Sequence, residues 1–273
     1  MVEYEIRPAT KLTLGMQELW KYRELFYYYT WRDIKVRYKQ TFFGFAWAVI
    51  QPILMMILFT FFFGKKLGVP SDSTPYPIFV FSGLLLWNIF STGLSAASNS
   101  IINNAHIIKK IYFPRLIIPL SSVMVTLFDF LMALSIYFVL LVYYGVSVNI
   151  FTFILSLILA VFITALSTFG IGTYLAALNI KYRDFKYVIP YTIQILLFVS
   201  PVIYPVSIVT NVWAKYLLAI NPLSGAITLL RSAISDVPLD WTMVLISFAF
   251  AVFYFFAGIL YFKKSESYFA DLS

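Results

Sequence analysis

The sequence predicts an all-α polytopic membrane protein: six transmembrane helices, an amino-terminal amphipathic interface helix, short re-entrant helices between spans five and six, and both termini cytoplasmic. Three observations carry that prediction. Apolar residues make up 61% of the 273-residue chain and gather into long runs almost free of charge. Six of these runs approach or exceed the ~20 residues that cross ~30 Å of hydrocarbon, where a backbone without water must be helical. Sixteen of the 20 Lys and Arg residues lie in the connections on one side of those runs, the side that the positive-inside rule assigns to the cytoplasm.

The chain divides into a cytoplasmic amphipathic segment, residues 1–43, and a single six-helix membrane domain, residues 44–273. In the first, Leu19, Tyr22, Phe26, Tyr27, Trp31, Ile34, Tyr38 and Phe42 recur at spacings of three and four, which places them on one helical stripe. Arg32, Lys35 and Lys39 occupy another face. Such a helix lies in the membrane interface. Its cations either anchor the topology or hold a phosphate or pyrophosphate headgroup.

The first span runs from Phe45 to Phe63, and Gln51-Pro52 within it is placed to kink the helix. The second runs from Ile78 to Ile102. Between it and the third lies a short basic loop, NNAHIIKKIYFPR, from Asn103 to Arg115. Asn103 or Asn104 can cap a short helix there, and Phe113-Pro114 would end it. That loop is either a rigid docking element or a plain connector. His106 is the single histidine of the chain; with no cysteine or nearby acid it makes a poor metal ligand, and no metal site is expected.

The third span, Leu116 to Tyr144, carries the one intramembrane charge, Asp129. A carboxylate at that depth is costly and is a functional hypothesis by default. It serves an interhelical hydrogen bond, sits protonated against Ser or Thr, or takes part in transport chemistry. The fourth span, Ile150 to Leu178, leads through Lys181, Arg183 and Lys186 to the fifth, Tyr187 to Pro205. Beyond it Asn221-Pro222 marks a helix start, with Leu223, Ile227, Leu230 and Ile234 on one face. These short apolar runs are expected to dip into the outer leaflet and form the mouth of a pathway. The sixth span, Trp241 to Phe262, ends at Lys263 and Lys264.

Composition also excludes classes of function. The net charge of +8 follows from topology and contact with anionic lipid, not from nucleic-acid binding. No cysteine is present, so disulfides and thiol chemistry are ruled out. The sequence holds no GxxxxGK[ST] phosphate loop, no HExxH and no paired intramembrane carboxylates. Any energy for transport must come from another subunit.

Five segments in order, RYKQTFFGFAWAVIQP (Arg37 to Pro52), IKKIYFPRLIIPLSS (Ile108 to Ser122), LNIKYRDFKYVIP (Leu178 to Pro190), FVSPVIYP (Phe198 to Pro205) and INPLSGAITLLR (Ile220 to Arg231), resemble the permease subunit of type-2 ABC exporters. The likeness is to the polysaccharide branch, which exports O-antigen, capsule and teichoic acid polymers. It implies a homodimer in the bacterial inner membrane, joined to two copies of a P-loop ATPase that binds ATP and magnesium; this chain itself would bind no cofactor and catalyse nothing. It implies an ATPase-coupling helix near Asn104 to Phe113, with Asn104, His106, Ile107, Ile108, Lys109, Lys110 and Phe113 as its candidate residues. By the same resemblance, Arg32, Lys35, Arg37 and Lys39 are candidates for a lipid pyrophosphate, and Trp47, Phe59, Phe62, Tyr191 and Tyr204 for the channel wall. A type-2 permease for a drug or small lipid is the alternative within the family. A secondary transporter would need further intramembrane acids, and a polyprenyl-lipid enzyme a converging set of acids and histidines.

Overall fold

The computed structural model describes residues 16–39, 46–182, 184–235 and 237–266. The Phe42 end of the predicted interface helix, the Phe45 start of the first span and Arg183 lie outside them. The described chain is helical, in the order α1 (Met16–Lys21), α2 (Arg23–Lys39), α3 (Ala46–Phe59, running on as a π-helical stretch over Thr60–Lys66), α4 (Tyr76–Asn103), α5 (Ala105–Ile108), α6 (Ile117–Tyr143), α7 (Ile150–Lys181), α8 (Phe185–Val199), α9 (Val212–Ala219), α10 (Pro222–Ser232) and α11 (Trp241–Lys264).

Among the described residues five elements, α3 with its π-helical continuation, α4, α6, α7 and α11, are by themselves long and apolar enough to cross a membrane. The predicted fifth span, Tyr187 to Pro205, is helical over α8 alone, 15 residues or about 22 Å at 1.5 Å per residue, and the rest of it, Ser200 to Pro205, is a non-helical turn. Pro201 explains the stop: a residue before proline is driven to extended backbone, and Ser200 sits at φ −73°, ψ 143°.

The centre of the bundle is α4. Ile78, Val80, Phe81, Leu84, Leu85 and Leu86 are all buried, and a helix apolar on every side belongs in the interior. It packs on α6 and α7, α7 packs on α11, and α10 fits among α4, α7 and α11. The α7–α11 approach depends on glycine: a Cβ on Gly170 would lie 2.5 Å from the backbone of Phe255. Small residues at such crossings let membrane helices reach backbone contact.

Tyr29 of α2, Ile107 and Phe113 of the loop, Ile117 of α6, Ile180 at the end of α7 and Phe262 near the end of α11 share one apolar cluster. The middle of α2, the basic loop and the end of α11 therefore gather at one end of the bundle. The interface segment is not a single helix, since α1 and α2 are separated at Tyr22. Its inward stripe also differs from the predicted one. Tyr29, Ile34 and Tyr38 are buried, while Tyr27 and Trp31 are exposed. A stripe through Tyr22, Phe26 and Tyr29 follows the three-and-four spacing equally well, and packing against Phe113 selects it.

At the opposite end, the chain between α8 and α9 folds inward. Asn221 caps α10 by accepting from Leu223 N at 3.2 Å, with Pro222 in the first turn. Leu223, Ile227, Leu230 and Ile234 are all buried, as their spacing requires. The non-helical turn over Ser200 to Pro205 is held by side chains from elsewhere. Arg231 donates to the carbonyls of Pro201 at 2.6 Å, Val202 at 2.8 Å and Tyr204 at 3.4 Å, and the Tyr76 hydroxyl donates to that of Ile203 at 2.8 Å. Irregular backbone survives away from water only when protein satisfies it in this way.

Candidate functional site

The headgroup and coupling candidates converge where α2 crosses the 104–113 loop and the first turns of α6. The four cations proposed for a headgroup divide into two pairs. Arg32 is committed to protein: it donates to Asp33 at 2.7 Å and Asn104 at 2.9 Å, and its guanidinium lies 4.5 Å from the centre of the Tyr29 ring. Arg37 is committed as well, its Nη1 donating to Asp129 Oδ2 while the Tyr38 hydroxyl donates to Oδ1. Lys35 and Lys39 are exposed, Lys35 resting 5.3 Å from the Trp31 ring centre. Both lysines therefore present ammonium groups outward, in a form suited to an anionic headgroup.

Asp129 is the acceptor of an interhelical bridge between α2 and α6. Each carboxylate oxygen takes one donor from α2. Burial, and then the hydrogen bond to Asp129, raise the pKa of the Tyr38 phenol. The hydroxyl consequently remains a protonated donor at neutral pH.

The basic loop is less helical than its spacing suggests. The predicted helix from Asn104 to Phe113 contracts to α5, four residues. Asn104 occupies the N-cap position without a capping hydrogen bond; its side chain instead accepts from Arg32 and donates to Ser100 O at 2.8 Å. Phe113 is buried, its ring centre 5.7 Å from that of Tyr29. Ile107 and Ile108 are half-buried against the same cluster. The outward face is formed by His106, Lys109 and Lys110, together with Ile111 at 59% and Tyr112 at 76% exposure. Of the predicted coupling residues, Asn104 and Phe113 hold the loop in place, and beyond Lys110 it is Ile111 and Tyr112 that are turned outward. The IKKIYFPR segment contained that signal, because its apolar pair beyond the lysines precedes a proline that cannot continue a helix.

The wall candidates separate in a similar way. Trp47 and Phe62 on α3 and its continuation, and Tyr191 on α8, are exposed. Phe59 is half-buried and meets Phe63 edge-on at 5.7 Å. Tyr204 lies beyond α8, in the turn, and gives its hydroxyl to Val199 O at 2.7 Å. Both α3 and α8 keep most of their apolar side chains outside the bundle.

Sequence reasoning did not single out Arg231, which closes the INPLSGAITLLR segment. It is buried, its guanidinium 3.5 Å from the Phe79 ring centre and hydrogen-bonded also to Phe79 O at 3.0 Å and Ser82 Oγ at 3.3 Å. Burial lowers its pKa to about 9, which leaves it protonated at neutral pH. A cation inside an otherwise apolar short helix was the available signal. No cluster of His, Cys, Asp and Glu suited to a metal occurs among the described residues.

Comparison with known proteins places this geometry in context. Residues 24–235 match the family model described as ABC-2 type transporter. The chain is 28% identical over 241 residues to the O-antigen export system permease protein RfbA of Klebsiella pneumoniae, covering 88% of this chain and 92% of that one. It is 29% identical over 216 residues to the protein of the same name from Myxococcus xanthus, covering 78% and 81% respectively. It is 23% identical over 206 residues to the polysialic acid transport protein KpsM of Escherichia coli, covering 74% and 78%.

Proposed function

The chain belongs to the ABC-2 type transporter family, and on that premise we propose that it is the permease subunit of an ATP-driven exporter that carries a lipid-linked, O-antigen-like polysaccharide outward across the bacterial inner membrane. The observation that carries this reading is the alignment with an O-antigen export permease along nearly the whole of both chains. Two copies of the chain work with two copies of a separate P-loop ATPase, on which ATP and magnesium are bound. Both termini face the cytoplasm. The gathering of α2, the basic loop and the end of α11 at one end of the bundle supports that orientation.

The residues divide the work. His106, Lys109, Lys110, Ile111 and Tyr112 offer the ATPase an exposed knob with cations around two large apolar side chains. Closure of the ATPase dimer displaces that knob and, through α2 and the loop, the bundle. Lys35 and Lys39 receive the pyrophosphate at the mouth. The apolar faces of α3 and α8, with Trp47, Phe62 and Tyr191, meet those of the second copy and enclose the path of the polymer, whose sugar CH faces stack on aromatic rings.

The absence of cysteine makes the reading directly testable. A single Cys at Tyr112, carrying a photo-crosslinker in native membranes, is expected to capture a P-loop ATPase. Efficient labelling at an accessible Tyr112 position with no ATPase captured would sink the proposal. For the headgroup, Lys35→Ala with Lys39→Ala is expected to weaken stimulation of ATP hydrolysis by lipid-linked glycan about tenfold, from two lost charge-assisted contacts. Basal turnover should change far less; equal losses in both would remove the lysines from the headgroup site.

A further inference from the structure

The α2 helix is gripped at two places by different parts of the bundle. Midway along it, Tyr29 packs on Phe113 and Arg32 bonds to Asn104, whose amide in turn holds Ser100 O of α4. Near its end, Arg37 and Tyr38 close on the two oxygens of Asp129, the Tyr38 ring lies 6.1 Å from that of Phe128, and Ile34 packs in one cluster with Val125. The span from Tyr29 to Tyr38 is about 13 Å of rigid helix at 1.5 Å per residue.

Asp129 lies within α6, whose first residue is Ile117. Twelve residues separate them, about 18 Å along the helix axis. A displacement of the 104–113 loop that travelled only along the chain would enter α6 at its first turn. With the bridge in place, the same displacement also reaches α6 through α2, near the middle of the helix. The bridge is suited to bearing such a load, since an acid 21% exposed is costly unless its oxygens are satisfied, and α2 supplies a donor to each.

We propose that Asp129 is a positioning residue for transport: by holding Arg37 and Tyr38 it makes α2 and α6 move as one body, so that motion of the loop is delivered to the middle of α6. This rests on the permease reading above. It also fixes where Lys35 and Lys39 stand, because both flank Arg37 on the same helix.

The test uses the full chain reconstituted with its ATPase in proteoliposomes, measuring polymer exported per ATP hydrolysed by the assembled complex. Asp129→Asn is expected to lower that ratio about tenfold, within the range of ordinary coupling factors, while the ATPase still hydrolyses ATP. The exchanged pair Arg37→Asp with Asp129→Arg is expected to recover a substantial part of the loss. Hydrogen exchange of the 30–39 amides, read on the chain alone, should accelerate about tenfold in Asp129→Asn as α2 loosens from α6.

An unchanged ratio in assembled Asp129→Asn complexes, or unchanged exchange, overturns the proposal. If Asp129→Asn does not assemble, Arg37→Gln, which leaves the carboxylate its Tyr38 partner, is read in the same way. Failure of both to assemble would assign Asp129 to folding and overturn its role in coupling. A parent protein that exports nothing with ATP would instead overturn the permease reading, and the exchange measurement would still decide whether the bridge holds α2.

Discussion

Arg231→Met is expected to destabilise the chain by about 3–5 kcal/mol, the scale of removing one partner from a buried charged network. The side chain is 6% exposed, and methionine would replace its apolar stem with little change of volume. What is lost is the set of donors. The carbonyls of Pro201 and Val202 then face the interior without Arg231, at about 1–3 kcal/mol for each buried unsatisfied acceptor. Phe79 O is less affected, because Ser82 Oγ also donates to it at 2.7 Å. Arg231→Lys supplies three donors without the planar fork and should recover part of the loss. Gly83→Ala gives an independent approach to the same contact: its Cβ would fall 2.9 Å from Arg231 Nη2 and 3.1 Å from Val202 Cα. Thermal melting of the detergent-purified chain reads all three. A melting temperature unchanged in Arg231→Met would show that the turn over Ser200 to Pro205 does not depend on this side chain.

That turn also marks the limit of what the sequence discloses. Long apolar runs and the distribution of Lys and Arg are local properties, and they locate α3, α4, α6, α7 and α11 to within a few residues. Asn221-Pro222 announces the start of α10 because both the cap and the proline act within one turn of helix. The end of α8 is less legible, since Phe198 to Pro205 reads as a continuous apolar run and only Ser200-Pro201 betrays the break. The bridges are less legible still. Arg37 and Asp129 are 92 positions apart, Arg231 and Ser82 are 149 apart, and no periodicity connects such pairs. Spacing also could not choose between Tyr27 and Tyr29 for the inward stripe of α2, a choice made by Phe113 from the far side of α4. The candidate site was therefore legible as a set of segments, while the partners of individual cations depended on the packing of those segments.

Replacing Ile111 and Tyr112 together by Asp is expected to weaken binding of the ATPase at least about 30-fold, the equivalent of one hot-spot loss of ~2 kcal/mol, and to abolish export. Both side chains are largely exposed, so the chain itself loses little apolar burial and should melt as the parent does. Two new carboxylates beside Lys109 and Lys110 also replace an apolar and cationic surface with an acidic one. Ile107→Asp with Ile108→Asp should behave in the opposite way. Those residues are half-buried against the cluster that includes Tyr29, Phe113 and Ile117, so charges there oppose burial and should lower the melting temperature before they affect docking. Measuring ATPase affinity and melting temperature for both pairs separates surface from support. Loss of affinity with normal melting in the first pair, and loss of melting in the second, identify Ile111 and Tyr112 as the contact. If Ile107→Asp with Ile108→Asp melts normally yet loses the ATPase, while Ile111→Asp with Tyr112→Asp binds it, the face turned toward the partner is the opposite one.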